Sequence, residues 1–167
     1  LFGASSLAKL PAVNDPAWTD ITLDGFTVKA LAFDTDDYAD FTFQTHHGVS
    51  LNTALDHHIH WTIASDDNGD EFAFQLTGVA AGRGPAFASI GTITSDDEIL
   101  SDNAGVQNFL DIGVIPAFNT TVSSILLLRM TRVAPADGND TAELIYVLYN
   151  DSHVSIDTLG SIAEDSK

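Results

Sequence analysis

From Thr22 onward the apolar residues of this chain recur at every second position, a period that a β-strand can use and an α-helix cannot. Phe26, Val28, Ala30 and Ala32 fall on one face of such a strand, and Thr27, Lys29, Leu31 and Phe33 on the other. Phe41 and Phe43 alternate with Thr42 and Gln44, and Phe72, Phe74 and Leu76 with Ala73, Gln75 and Thr77. His57, Ile59, Trp61 and Ile63 oppose His58, His60 and Thr62. Further strands are predicted near 86–95, 105–115, 122–133 and 141–156. The best helical candidate, Asp96 to Asn103, is a short acidic turn.

Breakers separate these runs: Asp34-Thr35-Asp36-Asp37, Asp66-Asp67-Asn68-Gly69, Ala81-Gly82-Arg83-Gly84-Pro85 and Pro135-Ala136-Asp137-Gly138-Asn139. Asn-Gly and Asp-Gly supply the positive φ that tight hairpins require. The pattern amounts to about eight strands at the spacing of a sandwich or barrel. Closing them into two sheets also removes edges that an open sheet would expose. The predicted fold is therefore all-β, an antiparallel jelly-roll sandwich of about eight strands over residues 21–167, with an up-and-down barrel as second choice. Residues 1–20 carry Lys9, Pro11 and Pro16 among small residues without a sustained period, and are predicted to form an extended N-terminal arm.

Of the 167 residues, 24 are Asp or Glu and 6 are Lys or Arg, for a formal net charge of −18. Proteins that neutralise phosphate concentrate Lys and Arg, so neither nucleic acid nor an anionic membrane is expected as a partner. Acidity of this degree can accompany disorder, but hydrophobic residues make up 44% and Phe alone contributes 10, enough to bury a core. The absence of Cys excludes disulfides, thiolate zinc sites and cysteine nucleophiles. No apolar run approaches the roughly 18 residues of a membrane-spanning helix. The opening Leu1-Phe2-Gly3 has neither the basic stretch nor the long apolar run of a secretory signal.

The most unusual segment is Asp56-His57-His58-Ile59-His60-Trp61. On a strand, His58 and His60 project from one face about 7 Å apart. Three readings follow. The pair is hydrogen-bonded within the sheet or at a subunit contact; or it lies on a three-fold axis, where three chains offer six imidazoles to one octahedral metal; or it is the H-x-H of a cupin-like metalloenzyme, completed by His46, His47 or His153. No third ligand stands at a diagnostic spacing, so the first reading is preferred, and no metal, cofactor or catalytic residue is assigned. The clusters Asp66 to Glu71 and Asp34, Asp36, Asp37, Asp40 lack the ligand spacing of a calcium loop and read as solvated turns. The acids single out no glycosidase pair, no G-x-S-x-G is present, and Asn119-Thr120-Thr121 and Asn139-Asp140-Thr141 are glycosylation sequons relevant only in a secretory pathway. Arg129 and Arg132 follow the apolar run Ile125 to Leu128 and, as scarce cations, are expected to pair with carboxylates within or between subunits.

Several segments taken together resemble a family of tailed-bacteriophage virion structural proteins. Asp56-His57-His58-Ile59-His60-Trp61 is similar to its H-P-H-I-H-W, and Asp151 to Glu164 is similar to its D-I-H-Y-x-x-D-x-x-G-S-x-x-E. Pro16-Ala17-Trp18, Asp24-Gly25 and Phe33-Asp34 resemble its P-x-W…D-G…F-D opening, Asp40 to Gln44 its F-x-F-Q strand, and Leu126 to Arg129 with Asp140-Thr141 its L-x-F-R…D-T. His58, His60, Trp61, His153, Asp157, Gly160, Ser161 and Glu164 match residue by residue. His57 stands where the family has Pro, Ser152-His153-Val154 replaces I-H-Y, and Ile162-Ala163 replaces more polar residues. The resemblance implies a trimeric jelly roll that decorates a capsid or forms part of a head or tail fibre.

The expected function is thus that of a non-enzymatic virion protein, a homotrimeric decoration (cement) protein bound to the major capsid protein on the outer capsid surface. His58, His60 and His153 are the expected trimer-interface residues, and the acidity keeps an outer-surface protein soluble. The alternative is a fibre or receptor-binding module that recognises host glycans, with Trp18, Trp61, Tyr38 and Tyr149 as stacking candidates.

Overall fold

Asp24 and Gly25, with φ of 46° and 79°, close the first hairpin. They join β1 (Ala17–Leu23) to β2 (Phe26–Phe33), with Leu23 opposite Phe26. Two central residues in the left-handed region form the turn whose twist matches that of the strands. The computed structural model describes residues 8–45, 53–65, 69–101, 104–118 and 124–153. Eight more strands follow: β3 (Tyr38–Gln44), β4 (Leu55–Thr62), β5 (Glu71–Ala81), β6 (Ala88–Thr94), β7 (Glu98–Ile99), β8 (Asn108–Ile115), β9 (Ile125–Val133) and β10 (Ile145–His153).

They form a β-sandwich of two antiparallel five-stranded sheets. One has the order β1-β2-β10-β4-β8; the other has the order β3-β9-β5-β6, with β7 also pairing with β5. The described residues include no helix, and so none long and apolar enough to cross a membrane. The ten strands exceed the expected number by β1 and the two-residue β7. Ala17 to Asp20 of β1 come from the stretch expected to be an arm, and β7 lies in the acidic turn. Both were hard to see because β1 is an edge strand with most side chains exposed, and a strand of two residues has no period to detect. Upstream, Lys9 exchanges two backbone hydrogen bonds with Asp40 of β3, at 2.8 and 3.0 Å.

The alternation seen in the sequence is the alternation of burial. Leu31, Phe33, Ile59 and Trp61 point inward from the first sheet and meet Phe41, Phe43, Phe72, Phe74 and Leu128 from the second. Phe33 and Phe74 pack edge to face at 5.3 Å between centroids, and Trp61 and Phe72 at 4.7 Å. Such pairs add about 0.5–1.5 kcal/mol to the area they bury. β2 is apolar on both faces, and its outward Ala30 and Ala32 form a second cluster with Ile21 and Tyr146.

Arg132 of β9 is wholly buried. Its Nη1 donates to the carbonyls of Phe33 and Glu143 at 3.0 and 2.8 Å, and its Nη2 to Thr141 O at 2.6 Å and Asp140 Oδ1 at 3.0 Å. Asp140 also accepts from Thr35 Oγ1 at 2.5 Å. The expectation that scarce cations pair with carboxylates is met inside the chain. Arg129 reaches both oxygens of Asp40 at 2.7 and 3.0 Å, and its guanidinium lies 4.1 Å from the Tyr38 ring centroid. Replacing Arg132 by Met strips donors from three backbone carbonyls. The Arg132→Met protein is expected to lose about 3 kcal/mol or more of unfolding free energy, read from its urea midpoint against wild type.

Candidate functional site

The histidine-rich β4 splits its imidazoles between the two faces of its sheet. His57 points into the sandwich, where it is buried, lies edge-on to Phe43 at 5.6 Å, and shares a 2.8 Å hydrogen bond between Nδ1 and Ser152 Oγ. His58 and His60 point outward, away from the core. A cupin-like site would need them inside a barrel, so that arrangement is not the one formed. The Ser152–His57 pair faces the core and offers no nucleophile to solvent.

Neighbouring strands supply the rest of the outward patch. Across from β4, β10 sets Asp151 opposite His58 and His153 opposite Asp56. On the other side, β8 sets Asp111 opposite His58 and Phe109 opposite His60. Two register shifts make this possible, one between Val147 and Tyr149 in β10 and one between His57 and His58 in the β4–β8 ladder. The shift in β10 brings Tyr146 and Tyr149, three apart, onto one face, and Asp151 and His153 continue it.

The rings form a cluster centred on His58. Its centroid lies 4.4 Å from that of His153, 4.5 Å from Phe109 and 5.2 Å from His60. His60 Nδ1 accepts from Gln107 Nε2 at 2.8 Å. His58 Nε2 lies 2.5 Å from Asp151 Oδ1, with both side chains almost fully covered (3% and 1% exposed). His58 Nε2 is thus the close polar neighbour of that buried oxygen, at which no other donor is directed. The ligand atoms of His58, Asp151 and His153 all lie within 4.8 Å of one another, and His153 is the exposed member.

Burial is the main cause that lowers the His58 pKa below its ordinary value; the Asp151 carboxylate opposes this, and His153 and His60 add to it. The sequence reading singled out His58, His60 and His153, and the fold gathers all three. It missed Asp151 as a partner. The signal was Asp151-Ser152-His153, an alternate-residue pair of the same kind as His58-Ile59-His60. His46 and His47, the sequon Asn119-Thr120-Thr121 and the matched positions Asp157, Gly160, Ser161 and Glu164 lie outside the described residues, as do Asp66 to Asn68. The acidic run at Asp34 is a turn, its backbone N accepted by Asp37 Oδ2 at 2.8 Å and that of Thr35 by Asp34 Oδ1 at 2.8 Å.

Two cavities lie away from this patch. One of about 360 Å³ surrounds Gly78 between Lys9, Asp40 and Arg129; another of about 400 Å³ lies beside Asp20, Ile63 and Ala104. Of the proposed glycan-stacking aromatics, Trp61 is buried in the core and Tyr38 sits under Arg129, while Trp18 lies on β1 and Tyr149 on β10. No model of a known protein family matches the chain, and no curated protein matches it.

Burial, aided by the charge of His58, lowers the His57 pKa from 6.5 to about 3. An unfolded imidazole therefore takes up a proton that the folded one refuses, and stability is lost as pH falls below 6.5 toward 3. Urea unfolding between about pH 7 and pH 4 is expected to show this loss, with His57 contributing up to about 1.4 kcal/mol per pH unit. The His57→Leu variant is expected to show a shallower slope over the same range.

Proposed function

We propose that the protein is a non-enzymatic structural component of a tailed-phage virion, a homotrimeric decoration protein seated on the major capsid protein at the outer capsid surface. The observation that carries this reading is the apolar rim of edge strand β8. Phe109 and Val114 on that strand are about half exposed, as is Val106 just before it, and Phe109 leans on the His58–His60 cluster. An unpaired strand edge beside exposed apolar side chains favours association with another chain. A second copy covering this rim would bring His58, His60 and His153 to a subunit boundary, and three copies around an axis would close the contact.

The jelly roll belongs to the same reading. Its support is the strand order: β2-β10-β4-β8 faces β3-β9-β5-β6, and most connections pass from one sheet to the other. The net charge of −18 suits a protein displayed on a particle surface. The alternative, a fibre module that reads host glycans, would rest on Trp18 and Tyr149.

Light scattering of the purified chain is expected to give a mass near three times 17.8 kDa, and Phe109→Glu is expected to shift it to the monomer. A reconstruction of the virion is expected to place the protein over capsomers. A monomeric wild-type mass would overturn the trimer, and density confined to the tail, with binding on a glycan array, would favour the fibre module.

A further inference from the structure

We propose that His58, Asp151 and His153 form a mononuclear site for a divalent transition-metal ion of the zinc type, complete within one chain. Three observations meet there. Two imidazoles and one carboxylate from adjacent strands bring their ligand atoms within 4.8 Å of one another. Asp151 Oδ1 is buried and, apart from His58 Nε2 at 2.5 Å, no donor is directed at it, so a cation lying against this carboxylate would stabilise it. His153 is exposed while the other two are covered, so an ion could enter from the solvent side and keep a water in its remaining position.

The donor set is chemically apt. Two neutral imidazoles and one carboxylate are ligands that zinc accepts in tetrahedral geometry with a fourth position open. Bonds of about 2.0 Å at tetrahedral angles place ligand atoms about 3.3 Å apart. The 2.5 Å between His58 Nε2 and Asp151 Oδ1 must therefore widen slightly, while the wider spacing to His153 closes. His60 is the natural control, because it shares the face of His58 but does not belong to the group whose ligand atoms lie within 4.8 Å of one another, and its Nδ1 accepts from Gln107. Other acids facing the cluster are Asp111, whose Oδ1 accepts from Gly113 N, and Asp56, opposite His153.

This site differs from an H-x-H pair shared on a three-fold axis, and it stands whether or not the chain trimerises. The test is calorimetric titration of the chelator-stripped full chain with zinc chloride, together with thermal unfolding with and without the ion. One zinc per chain is expected, with a higher melting temperature in its presence. Asp151→Asn and His153→Ala are each expected to weaken binding more than tenfold and to abolish the thermal shift, whereas His60→Ala stays within about threefold of wild type. Because His153 is exposed, its variant keeps the test readable if Asp151→Asn folds poorly. Absence of saturable binding, a stoichiometry of one ion per three chains, or binding that survives His153→Ala but not His60→Ala would each overturn the proposal.

Discussion

A single buried guanidinium sets the relation between the two sheets. Arg132 belongs to the β3-β9-β5-β6 sheet, yet its donors end on Phe33 at the close of β2 and on the 140–143 segment that leads into β10. Its own backbone also holds the turn at Asp34 to Asp37, through Asp36 N to Arg132 O and Arg132 N to Asp37 O, both at 3.0 Å. A planar fork with several fixed donors suits this task, because one group satisfies carbonyls of both β2 and the segment that precedes β10. The start of β10 is thereby tied to the end of β2, and the residues further along β10 follow from that anchor.

What β10 then delivers is an outward patch whose members come from three strands. His58 and His60 arrive from β4, Phe109 from β8, and Asp151 and His153 from β10. Buried ionisable groups are expensive, and here two of them, His58 and Asp151, sit on the outer face of a sheet instead of in the core. The other cations have simpler roles. Lys29 meets Asp20 at 2.8 Å with both side chains well exposed, a pair worth no more than about 1 kcal/mol. Arg129, clamped to Asp40 and stacked on Tyr38, fixes the β3–β9 edge near the Lys9 bridge.

Much of the architecture was legible because a half-buried strand writes its burial directly into the chain. The assignment of Ile59 and Trp61 to one face and His58 and His60 to the other needed only the period of two, and burial follows it. The two apolar faces of β2 were equally readable. β1 and β7 were not: the first is largely exposed and the second too short. Nor was Trp61's fate as a fully buried core residue readable from its aromatic character alone, which admitted a glycan-stacking role as well.

By itself, the sequence determined an all-β chain with an apolar interior, an acidic surface and an H-x-H on one face of a strand. Those are properties of composition and local period, which survive any choice of partner strand. Only the tertiary structure decided that Asp151 and His153 lie beside His58. That pairing depends on strands far apart in sequence becoming neighbours and on register shifts in β10 and the β4–β8 ladder. A shift of one position exchanges the two faces of a strand, so the phase of β10 is set by its anchorage and its irregularity rather than by its own residues.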